Sequence, residues 1–208
     1  MTFTTVAVGG FTSNSGKTGL VCELLRAFPG WEAIKVSRGH YRSCGRDPHA
    51  CCVSPLLGEE PTLRSGRAET YAPGKDTGRY WDAGASNVHW LVVTDAQVER
   101  GIKLALARVS APGVFVEGNS FLRYVEADFT LMLARGDGKI KPTARLALAQ
   151  TSAFYLSDEE GADASQRLAA WRASVGETEL VRRIPVYTRG ELPCLISRLR
   201  EVHGAVAA

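Results

Sequence analysis

The sequence predicts a three-layer α/β fold, a mostly parallel sheet with helices on both faces. Three observations predict it. Short apolar, β-branched runs alternate with stretches whose apolar residues recur at helical spacing. A glycine-bearing loop joins the first run to the first amphipathic stretch. The composition, 45% hydrophobic and 23% charged over 208 residues, is that of a folded globular chain, not of a disordered, collagen-like or coiled-coil one. Alternating strands and helices require right-handed crossovers, which bury such a sheet on both sides. Ligands of these sheets bind at the carboxyl ends of the strands.

The elements follow in order. Phe3 to Val8, ending in Gly9-Gly10, reads as a buried first strand. A helix is predicted from about Lys17 to Phe28, with Leu20, Val21, Leu24, Leu25 and Phe28 on one face. Pro29-Gly30 closes it, and Trp31 to Val36 reads as the second strand. Residues 38 to 83 show no sustained periodicity and hold four of the nine prolines and three of the five cysteines. They read as an irregular Cys/Arg-rich insertion in a single domain spanning residues 1–208. Val88 to Val93 is the next strand, and Thr94 with Gln97 forms a capping-box pattern before the stripe Val98, Ile102, Ala105, Leu106 and Val109. Strands are predicted at Val114–Val116, Phe129–Leu133, Phe154–Leu156 and Ile184–Tyr187. A short helix begins at Pro142, another spans Ala164–Val175, and Leu192, Leu195, Ile196, Leu199 and Val202 line the last.

Charge and composition exclude several classes of function. A net charge of +3 supplies no global field for nucleic acid. No apolar run approaches the roughly 18 residues needed to span a bilayer. The opening residues lack a basic segment and enter a strand pattern directly, so a cytoplasmic protein is expected. Five cysteines, an odd number, read as thiols or metal ligands in a reducing compartment.

The chemistry concentrates in Gly10-Phe11-Thr12-Ser13-Asn14-Ser15-Gly16-Lys17-Thr18, between a predicted strand and a predicted helix. Successive backbone N–H groups and a helix N-terminus make a concave positive site for phosphates. Gly10, Thr12, Ser13, Asn14, Ser15 and Gly16 would form that cradle. Lys17 would reach the β- and γ-phosphates, and the Thr18 hydroxyl would take Mg²⁺. The loop is one residue longer than the usual pattern, and Phe11 stands where that pattern has its first glycine. Glu117, leaving the strand Val114–Val116, is the acid expected to complete the metal site.

With Phe115-Val116-Glu117-Gly118-Asn119, these residues resemble the dethiobiotin-synthetase-like branch of P-loop NTPases. Within it, Pro73-Gly74-Lys75-Asp76-Thr77-Gly78-Arg79 followed by Asp82-Ala83-Gly84-Ala85-Ser86-Asn87-Val88 is similar to a segment of the MobB family of molybdopterin-guanine dinucleotide biosynthesis proteins. The resemblance covers mainly residues 3 to 133. It implies a P-loop fold that binds a nucleoside triphosphate, GTP in preference to ATP, with Mg²⁺, in molybdenum cofactor maturation. It also implies a homodimer and a pterin intermediate or a molybdenum enzyme as partner. By that match Asp76, which alone reads as a turn acid, would lie near the γ-phosphate or its metal, joining Lys17 and Glu117 as the catalytic set. Gly19 replaces the second threonine common after Gly-Lys-Thr, and Tyr80-Trp81 stand where the family tends to have His-Arg.

Three further sets stand out. Cys44, Cys51 and Cys52, near His40 and His49, have the ligand chemistry of Zn²⁺ or an iron–sulfur cluster, or are ordinary loop thiols. Cys22 and Cys194 read as structural. Asp158, after the strand Phe154–Leu156, is placed to select guanine, or caps a turn. Arg38, Arg42, Arg46, Arg64, Arg67 and Arg79 crowd the insertion as a surface for an anionic second substrate or as a solvated face. The expected function is triphosphate binding with slow hydrolysis. The alternatives are an ATP-dependent small-molecule ligase or kinase, and a non-catalytic nucleotide-switched adaptor.

Overall fold

A computed structural model describes residues 3–39, 56–134, 140–157, 169 and 179–207. Its strands are β1 (Thr4–Gly10), β2 (Glu32–Arg38), β3 (Thr62–Ser65), β4 (Val88–Val93), β5 (Gly113–Glu117), β6 (Phe129–Ala134), β7 (Ala153–Leu156) and β8 (Val186–Thr188). Its helices are α1 (Lys17–Ala27), α2 (Arg67–Thr70), α3 (Asp76–Asp82), α4 (Val98–Leu106), α5 (Pro142–Ala147), α6 (Glu179–Arg183) and α7 (Leu192–Ala207). The strands form one sheet in the order β3-β4-β2-β5-β1-β6-β7-β8. Every pairing is parallel except the antiparallel contact of β3 with β4. This is the expected three-layer α/β architecture.

The sequence explains the layering. β1, β5, β6 and β7 are buried along their whole length, as strands covered on both faces must be. On one face lie Leu20, Val21, Leu24 and Leu25 of α1, Tyr80 of α3, and Leu195 and Leu199 of α7. On the other lie Val98, Ile102 and Ala105 of α4, Ala144 and Ala147 of α5, and Val181 of α6. The sheet ends on β3 and β8, of four and three residues, and such short edges offer little backbone for pairing with another chain. Among the described residues, no helix is long and apolar enough to cross a membrane.

The structure differs from expectation in places that physics accounts for. Residues 56–83 of the insertion are not structureless: they carry β3, α2 and α3. These elements have four, four and seven residues, too few for a period to show, and every residue of β3 is only partly buried. The capping box of Thr94 and Gln97 forms, but the turn it starts, Asp95–Gln97, is a 3₁₀ turn, and α4 proper begins at Val98. Cys22 is buried as expected, whereas Cys194 is exposed. The inward stripe of α7 passes through Leu195 and Leu199, so a residue one position before Leu195 turns outward. The helix expected at Ala164–Val175 lies outside the described residues.

At the amino end of the sheet a buried hydrogen-bonded pair closes the structure. His89 Nε2 lies 2.7 Å from Glu32 Oε2, and both side chains are almost fully buried. Glu32 Oε1 accepts hydrogen bonds from Ser110 N, Ser110 Oγ and Ala111 N at 3.1, 2.9 and 3.1 Å. Burial alone would raise the Glu32 pKa, but the hydrogen bonds from His89 and Ser110 outweigh it and hold the carboxyl below its ordinary range. A depressed carboxylate stabilises the fold above its unfolded pKa, and the contribution is lost as pH falls through the folded value. Glu32→Gln is therefore expected to lower unfolding stability by about 3 kcal/mol at pH 7. Urea denaturation of the two proteins from pH 7 to pH 3 will show the difference shrinking toward the acid end.

Candidate functional site

The loop between β1 and α1 closes on itself. A Cβ added at Gly10 would meet Ser15 Oγ at 2.3 Å and the Lys17 Cδ and Nζ at 3.1 Å, so a side chain there would have to push these two groups aside. Gly16, at φ +85°, turns the chain into α1 in the left-handed region. Phe11 is 1% exposed and packs edge-on against Phe154 with ring centroids 5.8 Å apart. A bulky residue stands at this place because its ring is a core anchor and its backbone is clamped. Phe11 N donates to Leu133 O and Phe11 O accepts from Lys141 N, each at 2.9 Å. Asn119 braces the loop from the end of β5: Gly10 N donates to its Oδ1 at 2.8 Å, and its Nδ2 donates to Gly10 O at 2.7 Å. Ser157 Oγ donates to Ser15 O at 3.0 Å, and Lys141 Nζ donates to Ser13 Oγ.

Inside this frame Lys17 Nζ lies 3.4 Å from Thr12 O and 3.3 Å from Ser15 Oγ, so its ammonium is held over the loop. Thr18, the next residue of α1, donates from Oγ1 to Glu117 Oε2 at 3.0 Å. Glu117 ends β5 and is 3% exposed. It also accepts from Lys35 Nζ at 2.6 Å and from the Tyr80 hydroxyl. Lys35 turns its ammonium at the same time to Asp76 Oδ2, again at 2.6 Å.

Strand register brings these groups together. Val8 on β1 pairs with Glu117 on β5, Glu117 with Lys35 on β2, Lys35 with Trp90 on β4, and Trp90 with Arg64 on β3. Paired residues of neighbouring strands share a face, so one row crosses the sheet from apolar to acidic, basic, aromatic and basic. It lies on the face that carries α1 and α3, because Val8 belongs to their core cluster.

The electrostatics are those of a coupled network. Burial works against charge on Lys35, but Glu117 and Asp76 outweigh it and raise its pKa. Burial would raise Asp76, yet Lys35 and the Thr18 hydroxyl hold it below its ordinary value. Lys17 is lowered, first by burial and then by the neighbouring Lys35 and Lys141, against the pull of Glu117 and Asp76. Tyr80 is pushed well above its usual value by burial and by Glu117, so its phenol stays protonated as a donor.

The predicted residues fall into three groups. Ser13, Asn14, Ser15, Gly16, Lys17 and Thr18 line one cavity of about 510 Å³ with Asp76 and Glu117. Gly10 and Thr12 line a hollow of about 170 Å³ beside it, with Asn119 and Lys141. Asp158, Cys44, Cys51 and Cys52 lie outside the described residues. Ala83 and Ala85 of the Ala-Gly-Ala segment are buried under α1 and α3, which gives that motif a packing role. Arg38 is paired with Asp95 at 2.9 Å. Sequence reasoning missed Lys35, Tyr80 and Asn119. A charged residue inside the apolar strand Glu32–Arg38 was a signal for Lys35, and the position of Asn119 directly after Glu117-Gly118 was one for that residue. Tyr80 was noted only as a departure from the MobB pattern, and nothing in the sequence pointed it at Glu117.

No protein-family model matches the chain, and no curated protein sequence matches it. Among solved structures, it is similar to LpxK of Aquifex aeolicus, solved in complex with ATP, at 17% identity and a TM-score of 0.47. That alignment covers 75% of this chain and 48% of LpxK. It is also similar to a Zn(II)-bound triple mutant of the YjiA GTPase, at 13% identity and a TM-score of 0.40, over 90% of this chain and 58% of the other. The chain thus spans about half the length of the first and under two thirds of the second.

Asn119→Ala removes both side-chain bonds to Gly10 while leaving the core intact. Hydrogen exchange is expected to show the Gly10 amide opening about tenfold faster, with β6 and β7 unchanged.

Proposed function

We propose that the chain is a Mg²⁺-dependent nucleoside triphosphatase or phosphotransferase that seats the triphosphate in the loop Gly10–Thr18. The observation that carries this reading is the approach of Lys17 and Thr18 to Glu117 at the carboxyl edge of a parallel sheet. An ammonium held over a closed loop, a hydroxyl and a buried carboxylate are the parts that triphosphate chemistry uses. The donor set fits Mg²⁺: Thr18, Glu117 and Asp76 offer hydroxyl and carboxylate oxygens, the hard ligands that this ion prefers. When bound there, the ion would offset charge on the β- and γ-phosphate oxygens.

This chain's own groups would do the rest. Loop amides and Lys17 hold the phosphates and stabilise charge that moves to the leaving diphosphate. Asp76, at the cavity's exposed side, orients the attacking water. The water oxygen bonds to the γ-phosphorus, the bridging bond to the β-phosphate breaks, and the diphosphate leaves with the electron pair. The released proton passes to solvent. Lys35 fixes Asp76 and Glu117 in place. Such a network supports slow turnover, because Asp76 is held below its ordinary value and is a weak base toward the attacking water.

The preference for GTP, the part in molybdenum cofactor maturation and the homodimer remain with the resemblance to the MobB family. The observation that supports that resemblance best is the position of Asp76 beside Lys35 and the candidate metal ligands.

Two outcomes test the reading. Lys17→Ala is expected to weaken triphosphate affinity at least about 100-fold in calorimetry, with an unchanged circular dichroism spectrum. Equal affinity overturns it. The second outcome is a pH profile. Asp76 is lowered and Lys35 raised, so their pair persists from below the usual carboxylate range to above the usual lysine range. Lys17 is lowered, so affinity is expected to stay flat from about pH 6 to 8 and to fall on the alkaline side before that pair breaks.

A further inference from the structure

A second cavity opens on the outer side of the Lys35–Asp76 pair. It encloses about 490 Å³, in the range of small-molecule sites. Its floor is the outer half of the cross-strand row, Lys35, Trp90 and Arg64 on β2, β4 and β3. The indole is fixed at its nitrogen, which donates to Ser37 Oγ at 2.9 Å. The Arg64 guanidinium carbon stands 5.8 Å from the Trp90 ring centroid. The wall is the connection from α2 to α3, including Tyr71 and Lys75. Lys35 and Asp76 line this cavity and the triphosphate cavity alike, so the ion pair is their common wall.

The charges that line the cavity do not cancel. Lys35 and Asp76 satisfy each other. The Glu69 carboxylate accepts from Ser65 N at 3.1 Å and keeps its charge, so the lining holds three cations, Lys35, Arg64 and Lys75, against two carboxylates, Asp76 and Glu69. Among the described residues, neither Arg64 nor Lys75 makes an ion pair. What remains is a flat aromatic surface flanked by two cationic groups, one of them a planar fork suited to a carboxylate or phosphate.

We propose that this cavity is a second-substrate site for a small molecule with a flat aromatic body and an anionic group. The body stacks on Trp90, the anion is held by Arg64 and Lys75, and the remaining edge faces the Lys35–Asp76 wall and the terminal phosphate beyond it. Binding stands on the cavity alone; the role as co-substrate rests on the triphosphate reading. The occupant is distinct from a nucleotide, whose phosphates would take the loop on the far side of that wall.

The test uses naphthalene-2-carboxylate as the probe and neutral naphthalene-2-carboxamide as its control. Each is titrated into the full chain by ligand-observed NMR, with and without saturating Mg²⁺ and a non-hydrolysable ATP analogue. The acid is expected to bind about tenfold tighter than the amide, with and without nucleotide. Arg64→Gln and Trp90→Ala are each expected to weaken the acid about tenfold, and Trp90→Phe to restore most of the loss. No binding of the acid, equal binding of acid and amide, displacement by the nucleotide analogue, or variants that bind like the parent would each overturn the assignment. Nucleotide affinity is read by calorimetry on the same parent sample. Nucleotide binding without acid binding overturns this proposal alone. Acid binding without nucleotide binding overturns the triphosphate reading and leaves the cavity assignment standing.

Discussion

One buried carboxylate organises the carboxyl edge of this sheet. Glu117 is 3% exposed, and an ionised carboxylate in that position is tolerated only if its oxygens are paired. Its donors come from Thr18 at the start of α1, Lys35 on β2 and Tyr80 on α3. A single residue thereby ties together the first helix, the second strand and a helix of the long connection. Lys35 extends the network to Asp76, giving a chain of contacts from Thr18 through Glu117 and Lys35 to Asp76. Loss of any member leaves a neighbouring charge with less compensation, so the site is specified as a unit.

The two ends of the sheet use similar chemistry to different ends. At the amino end, Glu32 and His89 are about 1% exposed, and Ser110 and Ala111 supply the remaining hydrogen bonds. That pair is a closed structural clip. At the carboxyl end, Asp76 keeps 40% of its side chain exposed, and the network lines a cavity. The difference follows from the connections. The carboxyl-edge loop is braced by Asn119 and by the backbone clamps on Phe11, which leave its lysine and hydroxyl side chains facing the cavity.

Much of the fold was legible because its strands and long helices repeat their periods several times. The runs at Val88–Val93 and Phe129–Leu133 match β4 and β6 to within a residue. The stripe from Leu192 to Val202 lies on α7, where Leu195 and Leu199 are buried. The loop between β1 and α1 was legible through local chemistry, since glycines, hydroxyls and a lysine must be close in sequence to form one turn. The elements β3, α2 and α3 were not, because four to seven residues carry too little pattern. Cys194 was misread because its place at a helix start says nothing about which side faces the core.

By itself the sequence determined the class of fold, the position of the loop and the acid that ends β5. These are local properties: periodicity, glycine placement and a charged residue closing an apolar run. Tertiary structure decided that Lys35 meets Glu117, that Asp76, placed near this site only by resemblance, joins it through Lys35, and that Tyr80 donates to Glu117. The three lie 82, 41 and 37 residues from Glu117 along the chain, and no sequence spacing encodes their meeting. Strand order and register decided it, by setting β2 between β4 and β5 and packing α3 against β2 and β4, from where Tyr80 reaches Glu117.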